Sequence, residues 1–256
     1  MVDVFEEVEE QIRSDRYKAL ALKALPWLLG LLVLALVVAG GLWGWQAYRQ
    51  NAAAKASEQY AQALEAFNGG KKDAAIRLWG EVAKSPSEAY KALALMQLGG
   101  LQIADNKPAE AVKLFDQAAE AAPNDIVGDL ARLKSAFALL DTAPFKDMEA
   151  RLKPLTEEGR PYRVQAIEAL AFAKLMAGDT AGARGDFVVL ALLPDAGESA
   201  RERANAAKAM IDSGSAKAIP AAVKAAAALP PPIQLPPGVL PPGLQPAPQQ
   251  PATGNP

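Results

Sequence analysis

Two adjacent carboxylates, Glu157 and Glu158, are the nearest approach to an acid and base pair in the 256-residue chain. General acid and base work needs two groups held apart in different surroundings, and neighbours in sequence do not face one another, so the pair reads as solvated surface. The chain has no His and no Cys. That removes the commonest general base, the commonest metal ligand and every thiolate nucleophile. No G-x-G-x-x-G, phosphate-binding loop, G-x-S-x-G or H-E-x-x-H occurs. Catalysis, cofactors and metals are therefore not expected, and with a net charge of -2 nucleic acid is not an expected partner. What remains is binding chemistry. Leu93, Met96 and Gly100, and again Gln165, Glu168 and Phe172, recur at helical spacing and offer adaptable apolar surface for an extended peptide. The competing reading packs Met96 and Phe172 against a neighbouring helix.

Those residues belong to a pattern with a period near 34. From Ala92 to Asp125, Leu95, Leu98, Gly99, Ala111, Phe115, Ala118 and Pro123 hold the fourth, seventh, eighth, twentieth, twenty-fourth, twenty-seventh and thirty-second places. The spacing resembles the tetratricopeptide repeat, a pair of antiparallel helices. Small Gly99 and Ala111 let the helices approach, Phe115 fills the space between them and Pro123 stops the second. A later unit carries Gly178 in its turn, then Ala183 and Phe187, with Pro194 closing it. An earlier, looser unit has Tyr60 and Phe67 before Gly69 and Gly70, then Ala75, Trp79 and Pro86; a degenerate one between 126 and 160 is broken by Pro154. Four hairpins are expected, capped by a polar helix over 197–212.

The array hangs from residues 24–48, which contain no charge. As a helix they extend about 37 Å, enough to cross a hydrocarbon layer of about 30 Å. Pro26 is expected in the first turn, where its missing N–H costs nothing. Trp27, Trp43, Trp45 and Tyr48 lie near the ends, at the level aromatic rings prefer. Ala52, Ala53 and Ala54 would suit signal cleavage, but the apolar run is too long for a cleaved leader, so an uncleaved anchor is expected. Arg13, Arg16, Lys18 and Lys23 on one side, against Arg49 and Lys55 on the other, put the N-terminus in the cytoplasm and the array outside. Gly40 and Gly44, with Ala35 and Ala39 repeating the spacing, form either a face for another membrane helix or ordinary membrane-helix glycine usage.

The sequence thus predicts an all-α chain: a cytoplasmic segment over 1–23, a transmembrane signal anchor over 24–48, a repeat solenoid over 49–215, an Ala-rich connector over 216–228 and a disordered proline-rich tail over 229–256. Phe5, Val8 and Ile12 suggest that the first segment is a short amphipathic helix, either a contact surface or a solvated lead-in. In the tail, eleven of the last 27 residues are Pro, giving a spacer, a ligand for a proline-binding groove or simply a solvated end.

The opening DVFEEVEEQIRSDRYKAL, the single anchor, SEQYAQALEAFNGGKKDAAIRLW and the ending RERANAAKAMI together resemble the ancillary subunit family of the bacterial SecYEG translocon, YfgM-type. The resemblance implies a non-enzymatic inner-membrane protein with a periplasmic tetratricopeptide domain. It also implies Sec translocon subunits and a periplasmic chaperone as partners, in handling newly exported chains. Membrane lipid surrounds the anchor, and a homodimer is left open. The proline-rich tail departs from the family pattern. The alternative is a membrane-anchored scaffold for cell-envelope or division machinery.

Overall fold

The computed structural model describes residues 3–227. The proline-rich segment 229–256 lies outside the described residues, as do the side chains of Phe5, Val8 and Ile12. All regular structure among the described residues is helical.

Helix α1, Asp3–Asn68, runs through 66 residues without a break. At 1.5 Å per residue it is about 99 Å long. Its apolar stretch is long and apolar enough to cross a membrane, and none of that stretch is buried. One expectation is corrected here. Pro26 is not in a first turn but inside α1, because the preceding segment is fused to the apolar run as one helix. The backbone there forgoes one hydrogen bond to the carbonyl four residues earlier.

The last turns of α1 pair with α2, Lys72–Val82, around a turn in which Gly70 takes φ +74. A side chain resists that left-handed conformation, which explains the glycine. The second hairpin is α3, Glu88–Ala104, with α4, Pro108–Ala121. The third joins α5, Asp125–Leu139, to α6, Phe145–Leu152, and α6 gives way at Pro154 to a 3-10 turn over Lys153–Thr156. The fourth joins α7, Arg163–Met176, to α8, Thr180–Leu192. Helix α9, Glu198–Asp212, then packs on α8 and buries Ala200, Ala204 and Ala207. The chain does not end its packing there: a 3-10 turn, Ser215–Ala218, and α10, Ile219–Ala227, fold back against α7.

Four apolar clusters follow one another along the array. The first three are closed by the first helix of the next hairpin and the fourth by α9. Trp79 and Val82 of the first hairpin share a cluster with Ala94 and Leu101 of α3, and Phe115 and Ala118 share one with Ala131 of α5. Met148 and Leu152 then meet Ala166 and Ala169 of α7, while Phe187 and Leu190 meet Ala200 and Ala204 of α9. No hairpin buries its apolar face alone, which is the physics of a solenoid.

Candidate protein-interaction site

Close approach within each hairpin is set by small residues. A Cβ added at Gly99 would lie 2.6 Å from the Phe115 ring, so the eighth and twenty-fourth places of the frame touch directly. Leu95 and Met96 share that cluster with Ala111, Phe115 and Ala118, Leu93 packs at its edge, and Leu98 packs on the cluster of the first hairpin. Pro123 is exposed in the link between α4 and α5, next to Asn124, whose side chain accepts from the Val127 N–H and caps α5. In the fourth hairpin Gly178 takes φ +86 in the turn, and Ala183 and Phe187 are buried.

The expected groove residues differ in exposure. Met96 is only 8% exposed, because α5 packs beside α3 and closes over it. Leu93 is half-buried in the same cluster. Phe172 stands edge-on to Phe187, with ring centroids 5.1 Å apart, and shares its cluster with Ala216 and Ile219 of the C-terminal segment. Met96 is thus a packing residue, and Phe172 is a half-buried one. Glu168 is held by Arg203 through two bonds of 2.7 Å, tying α7 to α9. Only Gly100 and Gln165 of the six remain exposed.

The second, fifth and ninth places of a helix continue to the twelfth on the same stripe. There lie Ile103, 42% exposed, and 34 residues on, Phe137, 49% exposed. These two large apolar side chains sit at equivalent places on adjacent first helices, with exposed Lys134 one turn before Phe137. The signal was present in the frame: extending the stripe by one turn reaches both.

Ion pairs tie successive helices together along the array. Pairs recur near the repeat length: Lys72 with Asp105 at 2.5 Å, Arg151 with Asp116 at 2.9 Å, Arg163 with Asp195 at 3.2 Å and Arg184 with Asp212 at 2.6 Å. The Lys72 hydrogen bond holds the Asp105 carboxyl below its usual range, and Arg184 does the same for Asp212. Asp129, fully buried on α5, takes Arg160 and Arg132, and that contact holds the Arg160 guanidinium still more firmly protonated. Glu157 and Glu158 are exposed.

The profile of the tetratricopeptide repeat-like domain matches residues 25–187, well over half of the chain. The chain belongs to the tetratricopeptide repeat-like domain family. No curated protein and no solved structure matches it. Domains of this family typically act as non-enzymatic scaffolds that bind other proteins, and the match takes in the apolar part of α1 as well as the hairpins.

On that apolar part the small residues divide into two faces. With about 100° of turn per residue, Gly40 and Gly44 point to one side and Ala35 and Ala39 roughly 140° away, so the alanines do not extend the glycine face. The glycines also point about 130° from Ala56 and Ala63, the side of α1 that packs on the array. A Cβ at Gly40 or Gly44 would meet nothing within 4 Å.

Proposed function

We propose that this protein is an inner-membrane interaction module whose array stands in the periplasm and binds newly exported chains at the Sec translocon, passing them to a periplasmic chaperone. The observation that carries the reading is the unbroken α1, in which a run able to cross a bilayer continues as the first helix of the first hairpin. A binding array fixed to such a rod is held at the membrane surface, where translocated chains emerge. The excess of Lys and Arg before residue 24 supports a cytoplasmic N-terminus. Ile103 and Phe137 supply the apolar contacts that an unfolded client offers, and Gly40 and Gly44 supply a face for a partner's membrane helix on the side away from the array.

Crosslinking in native membranes tests this, with a photoreactive residue at position 103 or 137. Sec subunits and exported clients are the expected products. Recovery of cell-wall or division proteins alone would replace the reading with that of an envelope scaffold.

A further inference from the structure

Where α1 leaves its apolar run, a cleft of about 630 Å³ opens between it and the corner joining α2 to α3. Its floor changes chemistry along α1. Leu42 and Trp45 line the end nearer the apolar run, and Gln46, Arg49 and Gln50 line the other. Across the cleft stand Pro86, Ser87 and Glu88, at the start of α3. Arg49 lies seven residues beyond Leu42, about 10 Å along the helix. With Trp45, four residues or about 6 Å before Arg49, at the edge of the hydrocarbon layer, Arg49 lies in the headgroup layer, which is roughly 5–7 Å deep on each side.

The charges in the cleft are loosely paired. Arg49 and Glu88 approach to 3.9 Å, and both side chains are more than half exposed. A pair so open gains little from its own attraction. Both groups are free to take other partners, provided those partners bring one charge of each sign.

We propose that this cleft seats a zwitterionic phospholipid with a primary amine headgroup, a reading that rests on α1 crossing a bilayer. An acyl chain lies along Leu42 and Trp45, Arg49 takes the phosphate through its planar fork, and Glu88 takes the ammonium two carbons further on. Each protein charge exchanges one opposite charge for another, so neither is left uncompensated. A headgroup with phosphate and no amine would take Arg49 from Glu88 and leave that carboxylate beside the phosphate without a partner. The cleft therefore selects phosphatidylethanolamine over phosphatidylglycerol.

The test uses the full chain in nanodiscs of equal phosphatidylethanolamine and phosphatidylglycerol, with native mass spectrometry of the lipids that stay bound. The wild type retains the amine lipid over the glycerol lipid by about tenfold, the worth of one charge-assisted hydrogen bond. E88Q brings the ratio to within about twofold, and R49Q lowers retention of both lipids by about tenfold. K55Q, in the neighbouring cleft on the other side of α1, leaves the ratio unchanged. Melting temperatures equal to that of the wild type verify that the variants fold. A wild-type ratio within about twofold, or a ratio that survives E88Q, overturns the proposal. Alkaline carbonate extraction separates the two readings. Release of the chain from membranes refutes the anchor and the lipid site together, whereas a retained chain without lipid preference refutes the lipid site alone.

Discussion

Gly99 and Gly100 are neighbours on α3, yet alanine at the two positions is expected to act with opposite sign. Replacing glycine by alanine within a helix stabilises by about 0.5–1 kcal/mol through lost freedom of the unfolded chain. At Gly100 a Cβ meets nothing within 4 Å, so G100A keeps the whole gain. At Gly99 the new methyl would lie 2.6, 2.8 and 3.0 Å from three atoms of the Phe115 ring. Carbon atoms rest at about 3.5–4.0 Å, so the ring must retreat by about 1 Å. Phe115 is 3% exposed and shares its cluster with Leu95, Met96 and Ala131, so a retreating ring displaces buried neighbours. Overpacking of this kind costs about 1–3 kcal/mol, which outweighs the helix gain and leaves G99A about 1 kcal/mol less stable than the wild type. Thermal unfolding of the full chain in detergent reads the difference. G100A should melt about 2–3 °C higher and G99A about 2–4 °C lower. Combining G99A with F115L should recover part of the loss that either change causes alone, a coupling of about 1 kcal/mol. A G99A protein as stable as G100A, or a double variant whose losses simply add, would refute the packing argument.

Three further outcomes follow from the same contacts. D129A leaves Arg160 with only Asp125, at 3.1 Å, and should destabilise by about 3 kcal/mol in denaturant titrations, the low end for a broken buried pair because Arg160 keeps part of its exposure. Asp105 and Asp212 have carboxyls lowered by Lys72 and Arg184, so the stability they contribute is present above the ordinary carboxylate range and is lost as pH falls through their lowered values. The melting temperature should fall on the acid side below about pH 4, and the slope should be smaller in K72M with R184M. I103S with F137S, both at exposed positions, should change stability by less than about 0.5 kcal/mol each while reducing capture of unfolded clients in pull-downs.

Much of the array was legible because its physics is local. The eighth and twenty-fourth places of the frame, Gly99 and Phe115, announce their contact by size alone, and Gly70 and Gly178 mark turns that need positive φ. What escaped depends on neighbours the frame does not contain. Met96 is buried by the arrival of α5, and Phe172 is half-buried in a cluster with Ala216 and Ile219, which lie beyond the last recognisable repeat. Ile103 and Phe137 lie one turn beyond the second, fifth and ninth places at which the groove is expected. Pro26 lies inside a helix because the charged opening fuses to the apolar run, a continuity that no residue of the opening signals. The ion pairs between successive hairpins, such as Arg151 with Asp116, require both partners' helices to be oriented first.

The proposed function requires α1 to be one rod from the bilayer into the array, and the absence of native Cys makes that directly measurable. Spin labels at G41C and A61C, both exposed and 20 residues apart, report the intervening helix by pulsed dipolar spectroscopy in nanodiscs. An unbroken α1 gives a narrow distribution centred near 30 Å, from 20 residues at 1.5 Å each. A broad distribution, or a mean well below about 25 Å, would show a hinge between span and array and contradict the account.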